Sequence, residues 1–324
     1  MNNKNIFIYL CLAVFFFSCR SLENPEETFS FFLPSNILDY RGTPSSPGDR
    51  SSLAFSDQGA WFAYGFSSAE EKTLGFSGPF LMTQGQGEWS SRALSHLEFI
   101  HKEAQEKLDL DDFSRSQTSY NSHLKQVLEN EKLKIEQNLF FNSPHSAIIT
   151  TKITNLSNKA ITLQPDWHGT AFSTGLQIIK EENTISLKTD RSAAKGIIQV
   201  FEGVIRNIIT SDSSYSISLK DIKLEADETT TLTIAHTFIF PEYDAVLEQQ
   251  ELELSAKNPQ RQLQKRIEEK TKQLSTLNNN LDTNWRDSTY KDLVAKTVLT
   301  LQNNTRIPAG ELKHSGIFPS YHYK

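Results

Sequence analysis

From Lys132 to Phe141 the side chains sort by alternate positions, and a chain with that period has few ways to fold. Leu133, Ile135, Leu139 and Phe141 fall on one side of an extended segment, with Lys132, Lys134 and Glu136 on the other. That is the pattern of a strand with one face buried. Asn142-Ser143-Pro144 reads as a turn, because Pro fixes φ and the short polar side chains bond their own backbone. The next run, Ala147 to Thr154, is almost wholly β-branched, and Asn155-Leu156-Ser157-Asn158 turns it towards Ile161 and Leu163, which predicts an antiparallel meander. Further on, Leu232, Ile234, His236, Phe238 and Phe240 share a face opposite Thr231, Thr233 and Thr237. Many short strands separated by turns predict a mainly β fold, a large antiparallel β-sandwich over residues 51–241, rather than alternating strands and helices.

Past Pro241 the period lengthens to that of helices. Leu263, Ile267, Leu274, Leu277 and Leu281 recur at helical spacing among charged and amide side chains. Asn258-Pro259 supplies an N-cap followed by proline at the first helical position. This makes residues 242–283 a helical linker. A second helix is expected from Asp287 or Ser288, with Tyr290, Leu293, Val294, Thr297, Val298 and Leu301 as its apolar face, closed by Asn303-Asn304 and Pro308.

The N-terminus carries an address. Ile6 to Phe17 is an unbroken apolar run behind Lys4, too short to span a bilayer at roughly 20 residues but matched to the h-region of a secretory signal. The run ends in Phe16-Phe17-Ser18-Cys19, which is similar to the cleavage and lipidation box of bacterial lipoproteins, with Phe16 where an aliphatic residue is usual. Residues 1–18 are therefore expected to be a signal peptide and Cys19 an acylated N-terminus, followed by a tether and early loop over 19–50. The expected product is exported to the periplasm or cell surface and held at the membrane by its lipid. With Cys11 inside the signal, a chain starting at Cys19 has no second sulfur for an internal disulfide, so packing must supply its stability. The formal net charge is -6 with no basic stripe, which argues against nucleic acid as a partner.

Several chemistries are excluded by spacing. HExxH, CxxC, a P-loop and Gly-x-Ser-x-Gly are all missing; Gly75-Phe76-Ser77-Gly78 only imitates the last of these. Gly85-Gln86-Gly87 lacks the third glycine and the βαβ setting of a dinucleotide fingerprint and reads as a loop. No metal-ligand set and no cofactor are expected. His236, mid-strand among apolar neighbours, reads as a core histidine with satisfied nitrogens. Asp166-Trp167-His168 and Asp57 with Trp61 each read either as a structural corner or as sugar-contacting groups. Two carboxylates flanking a glycosidic bond would mark a glycosidase, but the sequence does not place Asp57 opposite Asp166. Trp61, Trp89, Trp167 and Trp285 are either sugar-stacking platforms or core.

Two stretches carry a family resemblance. Asp57-Gln58-Gly59-Ala60-Trp61 with Gly75-Phe76-Ser77-Gly78-Pro79 is one. Asn284-Trp285-Arg286 followed by Pro308-Ala309-Gly310-Glu311-Leu312-Lys313-His314-Ser315-Gly316-Ile317-Phe318-Pro319-Ser320-Tyr321-His322-Tyr323-Lys324 is the other. Together they resemble the N-terminal portion of the bacterial glucosidase branch of glycoside hydrolase family 63. The resemblance implies a β-sandwich, a helical linker and the first helix of a truncated (α/α)6 toroid over 284–324, in a family of inverting α-glucosidases. The family's acid and base belong to the later toroid, so no catalytic residue transfers to this chain, and Asp57 and Asp166 are expected to be structural. Phe318, Tyr321 and Tyr323 are expected to rim a pocket for an α-glucoside or glucan. An inactive glucosidase fragment, a non-catalytic glycan-binding surface lipoprotein and an assembly partner docking through residues 259–282 are the three readings open at this point.

Overall fold

The computed structural model describes residues 34–82, 87–172, 175–190, 192–280 and 288–318. The expected signal at 1–18, Cys19, Gly85-Gln86, Leu281, Asn284-Trp285-Arg286, Tyr321 and Tyr323 lie outside the described residues.

Two large antiparallel sheets face each other. The first has eight strands in the order β12 (Gln177–Lys180), β13 (Thr184–Lys188), β14 (Lys195–Glu202), β18 (Thr229–Ile239), β10 (Ser146–Asn155), β9 (Leu133–Ser143), β8 (Leu124–Glu129) and β7 (Ser114–Ser119). The second runs β15 (Ile205–Thr210), β16 (Ser214–Leu219), β11 (Ile161–Thr170), β5 (His96–His101) and β2 (Leu74–Gly75), with β17 (Ile222–Leu224) on β11 and β6 (Glu106–Lys107) on β5. A small sheet of β1 (Phe62–Gly65), β3 (Ser77–Leu81) and β4 (Glu88–Trp89) completes the sandwich. The predicted mainly β architecture is the observed one.

The period of two sets which side chains meet between the sheets. Leu133, Ile135, Leu139 and Phe141 enter the main core with Ile149, Ile153, Leu163, Trp167, Ile217, Leu232 and Ile234. Gln137 lies on the same inward side, and its burial is matched by hydrogen bonds with Gln126 at 2.6 Å and Thr151 at 2.9 Å, as a buried amide requires. His236 is also in this interior, bonded through both ring nitrogens, as its mid-strand position predicted.

The expected meander holds for β9 and β10, which pair along their length around Pro144-His145, but not for the next connection. β11 leaves for the other sheet. The buried side chain of Asn155 makes the corner: its amide donates to the carbonyls of Lys159, Leu224 and Glu225 at 2.8–3.1 Å, and its oxygen accepts from the Ser157 backbone and hydroxyl. Nor is Asp166-Trp167-His168 a corner, because all three sit within β11. Pro165, which has no N–H to donate, falls in the interval where β11 changes partner from β17 to β16.

Three helices follow among the described residues: α1 (Ala245–Ala256), α2 (Pro259–Asn279) and α3 (Ser288–Asn304). None is long and apolar enough to cross a membrane. Asn258 caps α2 as expected, its side chain accepting from the Arg261 backbone at 3.2 Å. Leu252 of α1 and Leu263 of α2 cover Phe140, Ile148 and Ala235 on the outer face of the eight-stranded sheet, each burial stabilising by about 1.5–3 kcal/mol. This explains why β18 carries buried residues on both faces, including Thr233 and Thr237, which the alternation had placed outside. α3 is turned differently from its predicted stripe: Ala295, Leu299 and Asn303 are buried, while Leu293 and Leu301 are exposed.

Candidate functional site

Residues 57–61 and 303–318 lie far apart in sequence and meet in space, so one loop of the first resembling stretch and the described part of the second share a junction. The loop before β1 makes this possible. Gln58 and Gly59 both adopt positive φ, and at Gly59 a Cβ would sit 2.9 Å from the Ile307 side chain. Only glycine allows that approach. The Ile307 N–H then donates to the Gly59 carbonyl at 3.0 Å, and the Trp61 indole donates to the Ile307 carbonyl at 3.0 Å. Gln58 anchors the other side by donating to the Phe141 carbonyl at 2.7 Å.

Asp57 is the electrostatic centre of this junction. It is 1% exposed, and its oxygens pair with Lys270 at 2.7 Å and with Arg266. Lys270 also donates to Gln302 of α3 at 2.6 Å. One carboxylate thus ties the loop before β1 to α2 and, through Lys270, to α3. Burial pushes the Lys270 ammonium below its usual range, and the Asp57 charge opposes that shift. Both carboxylate oxygens are engaged by these cations in a buried setting. Asp57 thus anchors the loop before β1 to the helices.

Phe318 stands at the rim of the junction. Its ring meets Trp61 edge-on at 5.7 Å, and Trp61 meets Phe240 at 5.9 Å. The Tyr243 hydroxyl donates to the Pro308 carbonyl at 2.7 Å, and the Gly310 N–H donates to Glu242 at 2.7 Å. The chain after α3 therefore leans on the sandwich. Trp89 and Trp167 are fully buried, so neither can present a ring to a sugar; the glycan-binding reading loses Trp167 as a platform.

Asp166 does not approach Asp57. It points outward from the seven-stranded sheet, where β5 brings it level with Glu98, and His168 level with His96. The two imidazoles stack with ring centres 5.7 Å apart, and each Nε2 faces one oxygen of Glu98, at 3.5 and 3.6 Å. Lys107 donates to Glu98 at 2.6 Å. Burial pushes Glu98 up, but the hydrogen bond and charge of Lys107 outweigh it and leave the carboxyl below its ordinary value. Burial also lowers His96, against the pull of Glu98. Among the described residues no three His, Cys, Asp or Glu side chains converge closely enough to hold a metal ion. Sequence reasoning found Asp166 and His168 but missed His96, Glu98 and Lys107, since only the pairing of β5 with β11 and β6 assembles them.

Several solved structures share features of this chain. A putative kojibiose phosphorylase from human microbiome aligns over 78% of it at 12% identity, with a TM-score of 0.43. A bacterial glucoamylase complexed with acarbose aligns over 84% at 14% identity, with a TM-score of 0.47. A heparan sulfate lyase from Pedobacter heparinus aligns over 60% at 8% identity, with a TM-score of 0.38. The chain spans only 36% of the phosphorylase and 44% of the glucoamylase. No curated protein matches it. Residues 45–227 match the family described as glucosidase YgjK, N-terminal. That segment is more than half of the 324 residues and takes in most of both large sheets together with the Asp57–Trp61 loop, so the chain belongs to the YgjK-type glucosidase N-terminal domain family.

Proposed function

We propose that this chain is the N-terminal part of an exported α-glucoside-acting glycoside hydrolase, and that its sandwich supports the helices rather than cleaving a bond. The observation that carries this reading is the junction at Asp57: the carboxylate nearest the family motif is saturated by Lys270 and Arg266 and serves as a clamp between layers. Inverting hydrolysis needs one protonated and one free carboxyl flanking the bond, and no such role falls to Asp57 or to Asp166. Phe318, with Tyr321 and Tyr323, would belong to the rim of a sugar pocket completed by further chain. Export through the apolar segment Ile6 to Phe17 and acylation at Cys19 complete the reading and place the protein at a membrane surface.

Glucose release from maltose or kojibiose by the chain alone is the direct test. No turnover is expected, and turnover abolished by Asp166→Asn would overturn the assignment of a supporting role. Labelling with radioactive palmitate tests the anchor; label retained after Cys19→Ala would remove it.

A further inference from the structure

The outward cluster on the seven-stranded sheet borders a cleft of about 380 Å³, within the ordinary range for a small-ligand site. The cleft arises because the outer edge of β5 is covered twice and incompletely. β2 pairs with it at His96 and Leu97, and β6 at Ile100 and His101, which leaves a notch beside Glu98 and Phe99. Its apolar side is formed by the half-buried Leu108 and Leu110, packed over the core residues Leu97 and Phe99, while Lys72, Glu98 and Asp109 stand among the polar groups around it.

From this arrangement we infer a saccharide-binding site, separate from the Asp57 junction, taking a neutral hexose or disaccharide. The inference rests on the glucosidase reading only for the expectation that sugars are present where the protein works. Its own support is chemical. The rim carries charges of both signs: Lys107 donates to Glu98, Lys72 donates to the backbone carbonyl of Asp111 at 2.5 Å, and Asp109 and Asp111 also line the cleft. A charged ligand of either sign would meet like charge on this rim. Spare hydrogen-bonding capacity remains nonetheless. Glu98 has one oxygen whose neighbour, His168, stands at 3.6 Å, beyond hydrogen-bond reach, and each ammonium has donors in excess of one partner. The Thr73 hydroxyl, also lining the cleft, is buried without a partner. A polyhydroxyl ligand that donates to Glu98, accepts from Lys72 and lays its C–H face on Leu108 and Leu110 satisfies these groups together. Lys107 already supplies the positive charge beside Glu98, which disfavours a metal ion at the same place.

Amide chemical shifts of the isotope-labelled chain titrated with maltose, and separately with methyl α-glucoside, test the site. Saturable shifts confined to residues 72–74, 96–99 and 107–111 are expected, with Kd on the order of 1 mM for so open a cleft. Glu98→Gln should weaken binding about tenfold by removing the charged acceptor, with the melting temperature followed as a control. Should that variant unfold, Asp109→Asn tests the same rim from an exposed loop. Saturable binding unchanged by either variant, or no saturable shift with either sugar, would overturn the inference. Shifts centred on Trp61 and Phe318 instead would also overturn it while leaving the glucosidase reading intact, since that reading is judged by turnover.

Discussion

The Nδ1 atom of His236 lies 2.7 Å from the hydroxyl of Tyr64, and this contact joins the middle of the eight-stranded sheet to the small sheet through the core. The opposite ring nitrogen meets the Ser95 hydroxyl at 2.6 Å, and Ser95 in turn bonds the Tyr215 hydroxyl. Three sheets are thus linked through one imidazole inside a mainly apolar interior. Replacing His236 with Leu leaves the Tyr64 hydroxyl unpaired in that interior. A loss of about 2–4 kcal/mol is expected from the orphaned groups and the misfit, read from urea unfolding. Tyr64→Phe in the His236→Leu background should recover part of it, because both ends are then apolar.

Acid should loosen the fold well before carboxylates titrate. Burial lowers both His236 and His123 from 6.5 to about 3. A depressed folded value means that the unfolded chain takes up protons first, so stability is complete above about pH 6.5 and declines as pH falls towards 3. Two such groups together remove about 4 kcal/mol between pH 7 and pH 5. Urea midpoints at the two pH values check this, and the slope should be roughly halved in His123→Phe if that ring is replaced without strain.

Removing the clamp carboxylate should release the helices selectively. In Asp57→Ala the Lys270 ammonium, itself 8% exposed, keeps Gln302 but loses its counter-charge. Breaking one side of a buried pair typically destabilises by about 3–5 kcal/mol. Amide exchange is expected to speed up first in Pro259–Asn279 and Ser288–Asn304, ahead of the sandwich strands. Exchange that accelerated uniformly would contradict the placement of the clamp. The paired change Asp57→Leu with Lys270→Met should exchange more slowly than Asp57→Ala.

Trp61→Phe removes the indole donor to Ile307 while keeping a ring against Phe240 and Phe318. A modest loss of about 1 kcal/mol is expected, together with earlier proteolytic cleavage after Asn304. Phe318→Ala should produce the same early cleavage with a smaller effect on global melting, because an aromatic pair at a rim contributes about 0.5–1.5 kcal/mol.

The strands and the α2 cap were legible in the sequence because each rests on a local rule: alternation for β9 and β18, β-branched side chains for β10, and Asn-Pro for α2. His236 was legible for the same reason. The departures share another cause. Asn155 looks like any turn residue, and nothing local says that its amide will gather carbonyls from Leu224 and Glu225 and send β11 to the opposite sheet. The exposure of Leu293 and Leu301 depends on which side of α3 meets the sandwich, which Tyr40 and Asn303 settle by a hydrogen bond of 2.7 Å across the whole chain. Glu98 and His96 acquire interest only once the register of β5 on β11 is known, and register is not written in either strand alone.

The position of β18 has a practical consequence for anyone dividing this protein. The family match stops at residue 227, just before the strand that stands fourth among the eight, with β14 on one side and β10 on the other. A gene cut at the family boundary would split that sheet down its middle and leave two long raw edges, each an invitation to aggregation. A cut after residue 241 would keep the sheet but strip the cover from Phe140 and Ile148. The smallest piece worth expressing therefore extends through α2 at least, and a soluble product ending at residue 279 or later is the natural starting point for every measurement above that does not involve α3 or the chain beyond it.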